Sequence, residues 1–340
     1  MLKKDFINVE DFEREELVAL VELIRVSKQA QKNRALPNFL YKASIAMFFE
    51  EASTRTRTSF EVAATLLGGH ALYMRPGDVH LGKSESLYDT AKVLSRMVDG
   101  VVIRSAKYET VKNLAEYADI PVINAMTDDF NHPTQVLCDI FTMFEKTGKI
   151  KGNNLVFIGD GKSGSAANVS HDLMRIAAIL GINFCLVSPV KYQPDESFLN
   201  HIERIAKDSG ATIKVTDDPI EGVKDADFIY TDEFVWYDMT PKEKEKREKI
   251  FKPKYQVNTK LLSYAPSHVK FMHCLPAKRG EEVTNEVMDG PHSIIFDQAE
   301  NRLYTQIALL IAFIYPTLKE YGRLKESEYA EIIKSILKKL

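Results

Sequence analysis

Cysteine is scarce in this chain, and its three copies (Cys138, Cys185 and Cys274) are odd in number, far apart and without a CxxC pair. That pattern excludes a disulfide scaffold and a cysteine-based zinc module, and it points to reduced thiols in the cytoplasm. Charge of one sign is also lacking: the 340 residues carry a formal net charge of -3, with acids and bases mixed throughout. A basic nucleic-acid surface or a polybasic membrane patch therefore has no support, and any anion site must be local. Long apolar runs are missing too. The densest, Ile307 to Tyr315, is too short to span a bilayer, and no apolar stretch follows Met1–Asp5, so neither a membrane anchor nor a signal peptide is expected.

What is present is a repeated strand–helix rhythm in a chain long enough for two cores. Ser44-Ile45-Ala46-Met47-Phe48-Phe49 reads as a buried strand, and Phe60, Val62, Ala63, Leu66 and Leu67 recur at helical spacing soon after. Between them lies Ser53-Thr54-Arg55-Thr56-Arg57, two hydroxyls and two guanidinium forks at a helix N-terminus. Unpaired N–H groups, the helix dipole and bidentate arginine all favour a phosphate there. A capped helix with solvated arginines is the plainer alternative. Further strands are expected at Gly100–Arg104, Pro121–Asn124, Asn154–Ile158, Phe184–Val187, Ile213–Thr216, Phe228–Thr231, Val269–His273 and Ser293–Asp297, with helices between most of them. This alternation implies α/β architecture: two doubly wound domains with mainly parallel sheets, linked by interdomain helices. The first is expected over 1–148 and the second over 149–299, with helices of about 300–340 packing back on the first or on a neighbour.

Ligands of such sheets bind at the carboxyl ends of strands. Arg104 ends one strand, and Asn131-His132-Pro133-Thr134-Gln135 follows another, with Pro133 suited to the first turn of a helix. Gly159-Asp160-Gly161-Lys162-Ser163-Gly164 spells a dinucleotide fingerprint after a strand, but the next strand ends in Ser188-Pro189 rather than an acid, so a nicotinamide cofactor is not expected. The run Pro241–Lys254 interleaves glutamate with lysine and reads as a solvated helix or lid. Tyr329, Ile332, Ile333, Ile336, Leu337 and Leu340 form one stripe of a terminal amphipathic helix, which needs either its own body or a neighbouring subunit to cover it.

With Ser53–Arg57, His132-Pro133-Thr134-Gln135, His273-Cys274-Leu275-Pro276 and Ala299-Glu300-Asn301-Arg302 in this order, the chain resembles the aspartate/ornithine carbamoyltransferase family from about residue 10 to 320. The resemblance implies carbamoyl transfer from carbamoyl phosphate to a small amine, with no metal or cofactor, in a homotrimer with shared sites. It assigns carbamoyl phosphate to Ser53, Thr54, Arg55, Thr56, Arg57, Arg104, His132, Gln135, Cys274, Leu275 and Arg302, with His80 supplied by the neighbouring subunit where the family commonly has glutamine. Arg104, His132, Asp232 and Cys274 are the implied catalytic residues. Asn168, Asp232, Trp236, Tyr237, Asp238, His273, Cys274, Leu275 and Pro276 are the implied amine contacts, Asn168 lying after a loop about four residues longer than the family's. The Cys274 motif points away from the aspartate branch. Ornithine enzymes carry Ser-Met-Gly shortly after the position of Asp232; here Val235-Trp236-Tyr237 stands instead, closer to the putrescine branch although Trp236 falls two residues late. Putrescine is the expected amine, with ornithine the alternative. A non-catalytic binding or regulatory protein on the same fold is disfavoured because every phosphate motif is intact.

Overall fold

The computed structural model describes residues 4–75, 85–162, 164, 167–236, 239–318 and 328–340. The chain divides into two compact units, the first comprising Met1–Phe141 with Glu300–Leu340 and the second Thr142–Ala299. The strands are β1 Ser44–Phe49, β2 His70–Met74, β3 Gly100–Ser105, β4 Val122–Thr127, β5 Asn154–Ile158, β6 Asn183–Val187, β7 Ile213–Thr216, β8 Phe228–Thr231 and β9 Lys270–Met272. The helices are α1 Arg14–Lys32, α2 Thr54–Leu66, α3 Leu87–Leu94, α4 Tyr108–Tyr117, α5 Pro133–Thr147, α6 Asn168–Leu180, α7 Glu196–Ser209, α8 Pro219–Val223, α9 Pro241–Tyr255, α10 Thr259–Leu262, α11 Asn285–Met288, α12 Ile295–Phe313 and α13 Glu328–Leu337.

The first unit holds a parallel sheet in the order β2-β1-β3-β4. The chain winds one way from β1 to β2 and the other way from β1 to β3 and β4, so the topological switch lies between β1 and β3. That is where a doubly wound sheet opens a crevice. β1 and β3 are apolar on both faces because helices cover both. The second unit repeats the plan with five parallel strands, β7-β6-β5-β8-β9, and its switch lies between β5 and β8.

One expected element differs. Ser293–Asp297 is not a strand: Ser293 makes only an isolated bridge to Phe271, and Ile295 already begins α12. Three apolar β-formers in a row (Ile294, Ile295, Phe296) mimic a strand, but the helical pattern that follows takes them up. Helix α12 stops at Phe313, and Pro316 lies inside a short 3-10 turn, Tyr315–Thr317. The stripe on α13 finds its cover within the chain: α13 lies against α1 and buries Ala330, Ile333 and Ile336. No helix among the described residues is long and apolar enough to cross a membrane.

Candidate active site

In the first unit, β1 delivers the chain to Ser53, the N-cap residue of α2, in extended conformation. Its side chain makes no capping hydrogen bond, so the hydroxyl is not spent on the helix end, as the capped-helix alternative required. Thr56 points inward and is buried; its hydroxyl accepts a 2.9 Å hydrogen bond from Nη2 of Arg302. Arg302 also donates through Nη1 to Gln135 Oε1. The Gln135 amide is oriented from behind, because its Nε2 donates at 2.7 Å to the wholly buried Asp139 one turn along α5. A donor-only guanidinium on one end and a carboxylate on the other leave the amide one orientation.

Arg57 takes a different direction. Its guanidinium lies 3.6 Å from the centre of the Tyr73 ring and its Nε donates to Glu61 at 3.4 Å. With Ser53, Thr54, Glu61 and Tyr73 it lines a groove of about 700 Å³ beside the helix end. Arg55 lies close enough to His132 for its charge to be felt there, as do Arg104 and Arg302.

Arg104 is the next-to-last residue of β3, with its side chain nearly buried, 3.9 Å from Asp128, and among the described residues its Nε has no hydrogen-bond partner. His132 immediately precedes α5. Its turn is fixed by Asn131, whose Oδ1 accepts from Asn124 Nδ2 at 2.7 Å and Thr127 Oγ1 at 2.9 Å while its Nδ2 donates to the Ile7 carbonyl at 3.0 Å. Burial, and then the charges of Arg302, Arg104 and Arg55, hold the His132 imidazole well below its ordinary pKa. It is therefore neutral at pH 7, a hydrogen-bond donor that adds no fourth positive charge to the three guanidiniums.

In the second unit, Asp232 follows β8 and His273-Cys274 follows β9. Donor atoms of Asp232, His273 and Cys274 lie within 4.8 Å of one another. The Cys274 thiol hydrogen-bonds the Asp232 carboxylate, whose pKa is raised chiefly by burial, with the Glu233 N–H and the thiol itself pulling the other way. His273 Nδ1 accepts the Leu275 N–H at 2.9 Å, so in the neutral ring the proton sits on Nε2, 3.3 Å from the wholly buried Glu282. The sulfur, imidazole and carboxylate would suit a zinc ion chemically. As they stand, the thiol and the carboxylate are hydrogen-bonded to each other and the imidazole Nδ1 is taken by the Leu275 N–H. Leu275 is held at φ +61° ahead of a cis bond to Pro276.

Of the residues read from the sequence, Thr56, Arg302 and Gln135 meet directly, and Arg55, Arg104 and His132 gather around them by electrostatic contact. Asp232, His273 and Cys274 meet in the second unit, Trp236 is partly buried on the loop four residues after Asp232, and Asn168 is buried at the first position of α6. His80, Tyr237 and Asp238 lie outside the described residues. Sequence reasoning missed Asp139, Glu282 and Lys278. Lys278 donates to the Val235 carbonyl at 2.7 Å and stands 3.6 Å from Glu233. Asp139, four residues after Gln135 on one helix face, was the only one of these with a spacing signal.

The glycine motif after β5 has a packing explanation. A Cβ on Gly161 would stand 2.3 Å from Leu186 Cδ2, and one on Gly159 2.8 Å from the Phe157 ring. The Asp160 carboxylate takes up the loop itself, accepting the Lys162 N–H at 2.7 Å.

An arginine-rich crevice at one switch point, and a buried carboxylate–thiol–imidazole set beside another, define a two-site enzyme for an anionic acyl donor and a second substrate. The chain belongs to the aspartate/ornithine carbamoyltransferase family: residues 4–145 match its carbamoyl-P binding domain and residues 151–313 its Asp/Orn binding domain. It is 45% identical to a putrescine carbamoyltransferase of Mycoplasma capricolum, over 96% of this chain and 93% of that protein. It is equally, at 45%, identical to an anabolic ornithine carbamoyltransferase of Pyrococcus furiosus, over 90% of this chain and 95% of that one. The solved ornithine carbamoyltransferase from Pyrococcus furiosus superposes with a TM-score of 0.86 at 44% identity, covering 93% of this chain and 98% of the other.

Proposed function

We propose that the chain transfers the carbamoyl group of carbamoyl phosphate to one amine of putrescine, giving N-carbamoylputrescine and phosphate, as a homotrimer in the cytoplasm. The neutral amine adds its lone pair to the carbonyl carbon. The resulting oxyanion collapses, the carbon–oxygen bond to phosphate breaks, and the proton lost by nitrogen leaves with phosphate. Catalysis of this kind rests on holding the donor and stabilising the developing negative charge. Ser53, Thr54, Arg55 and Arg302 hold the phosphate, with Arg57 at its outer edge. Neutral His132 and the buried Arg104 serve the carbonyl oxygen, while Gln135 Oε1 accepts from the carbamoyl amide. Asp232 and Cys274 hold the attacking nitrogen so that its lone pair faces the carbon. His80 of one subunit completes the phosphate site of the next.

The observation that carries the choice of amine is the pair of adjacent carboxylates after β8. Glu233 follows Asp232, and the nearby Lys278 is committed to Glu233 and to the Val235 carbonyl. A loop of this charge favours a diamine's distal ammonium over an amino acid's carboxylate. The Mycoplasma putrescine enzyme also aligns with 96% of the chain, whereas the ornithine enzyme of Pyrococcus furiosus aligns with 90%.

Glu233 makes the reading testable by pH. Burial first, and then neighbouring Asp232, push its carboxyl up to about 7, with Lys278 pulling the other way. It is therefore protonated below that pH and charged above it. Affinity for a cationic distal group should rise as pH passes upward through about 7, by about tenfold. This inflection lies on top of the steady gain from the growing fraction of neutral amine. Steady-state profiles with putrescine should lose the inflection in Glu233→Gln and keep the steady gain. An unchanged profile in the variant would overturn the placement of the distal ammonium.

A further inference from the structure

Helix α9 is the most charge-dense element of the chain, yet one of its cations is not solvated. Arg247, Phe251 and Tyr255 form its buried stripe at i, i+4 and i+8, and Arg247 is only 7% exposed. Its guanidinium touches three other segments. Nε donates at 2.6 Å to the Phe234 carbonyl, and Nη2 donates to the Asp160 carboxylate. Its carbon lies 4.7 Å from the Tyr192 ring centre and 5.0 Å from that of Phe251. Phe251 in turn stacks on Phe234 at 4.9 Å. Asp160 is itself buried and braced, with Oδ1 on the Lys162 N–H and its carbonyl accepting the Ser170 hydroxyl at 2.7 Å.

We propose that Arg247, with Asp160 as its counter-ion, is the positioning residue that sets the amine loop. Phe234 lies midway between Asp232 and Trp236, so the bond to its carbonyl fixes the backbone that carries both. The reading rests on the assignment of that loop to the amine. The loop bears two carboxylates of its own; besides this bond it is held at Val235 by the Lys278 ammonium and at Phe234 by apolar packing. A buried guanidinium is held in place because removing either partner strands a charge. Its planar fork reaches a carbonyl and a carboxylate at once; a lysine ammonium is a point charge and cannot reproduce both directions with the same aromatic stacking. The ion pair is neutral overall, so it acts on the loop through geometry rather than by adding charge. The charge-rich helix is therefore a strut with one functional contact, and its exposed lysines and glutamates keep it in water.

The test uses the full-length enzyme with Arg247→Lys and Asp160→Asn. For each, kcat/KM is measured with putrescine and with ornithine, and the affinity for carbamoyl phosphate by calorimetry. A loop displaced by a fraction of an ångström to one ångström should cost the preferred amine about tenfold to a hundredfold. The other amine should lose less, so the selectivity ratio shrinks by at least about threefold, while carbamoyl-phosphate affinity stays within about twofold. A purely structural role would lower thermal stability and both amines in equal proportion; an unchanged ratio therefore overturns the proposal. The change in ratio is read whichever amine the wild type prefers. A wild-type preference for ornithine would thus refute the putrescine assignment and leave the Arg247 reading to stand or fall on its own.

Discussion

Arg55→Ala should abolish measurable carbamoyl-phosphate binding and lower kcat/KM by at least about a hundredfold, a loss on the order of 3 kcal/mol. The residue sits at the second position of α2, where the helix end already favours an anion and Ser53 leaves its side chain uncommitted to a cap. It is also one of three cations whose charge reaches the buried His132, the others being Arg302 and Arg104. Arg55 is partly exposed and no apolar cluster depends on it, so the variant should fold with unchanged far-UV circular dichroism. Calorimetry on the folded variant is the check. Wild-type affinity for carbamoyl phosphate would remove Arg55 from the phosphate site.

Asp232→Asn should show the complementary pattern: carbamoyl-phosphate affinity kept, turnover lost. The substitution preserves shape but removes the charge to which we assign the holding of the amine N–H groups, beside the Cys274 thiol. Positioned groups of this kind contribute about 10²- to 10⁴-fold, and we expect a fall of at least about a hundredfold in kcat/KM for the amine. Asp232 and the groups that act on its carboxylate belong to the second unit and Arg55 to the first, so the two variants should separate donor binding from attack. Turnover within about threefold of wild type would show that the carboxylate does not orient the nucleophile.

The candidate donor cluster was legible in the sequence because its polar residues are concentrated in short runs at strand ends. Ser53–Arg57 and His132–Gln135 each mark a polar cluster where an apolar strand stops, and strand direction alone brings such clusters to one side of a sheet. The fold was legible for the same reason, since buried parallel strands read as apolar runs. What stayed hidden was support from a distance. Glu282 follows no strand and looks like one of two adjacent surface glutamates, yet it is wholly buried against His273. Arg247 was masked by its surroundings: in a run of lysines and glutamates, one inward-facing arginine differs only by sharing the spacing of Phe251 and Tyr255. The reading of that helix as solvated holds for its outer face and fails at this residue. The strand expected at Ser293–Asp297 failed through local propensity, because three apolar residues in a row cannot distinguish a strand from the start of an apolar helix.

The most direct measurement is a competition: wild-type enzyme, carbamoyl phosphate, and equimolar putrescine and ornithine in one vessel at pH 8, with carbamoylated products separated by chromatography and phosphate counted. Product amounts then report the ratio of the two kcat/KM values. The account predicts phosphate and carbamoylated amine in one-to-one yield, with N-carbamoylputrescine in excess over citrulline. Citrulline in excess would contradict the assignment of the amine, and phosphate release without either product would contradict carbamoyl transfer to these amines.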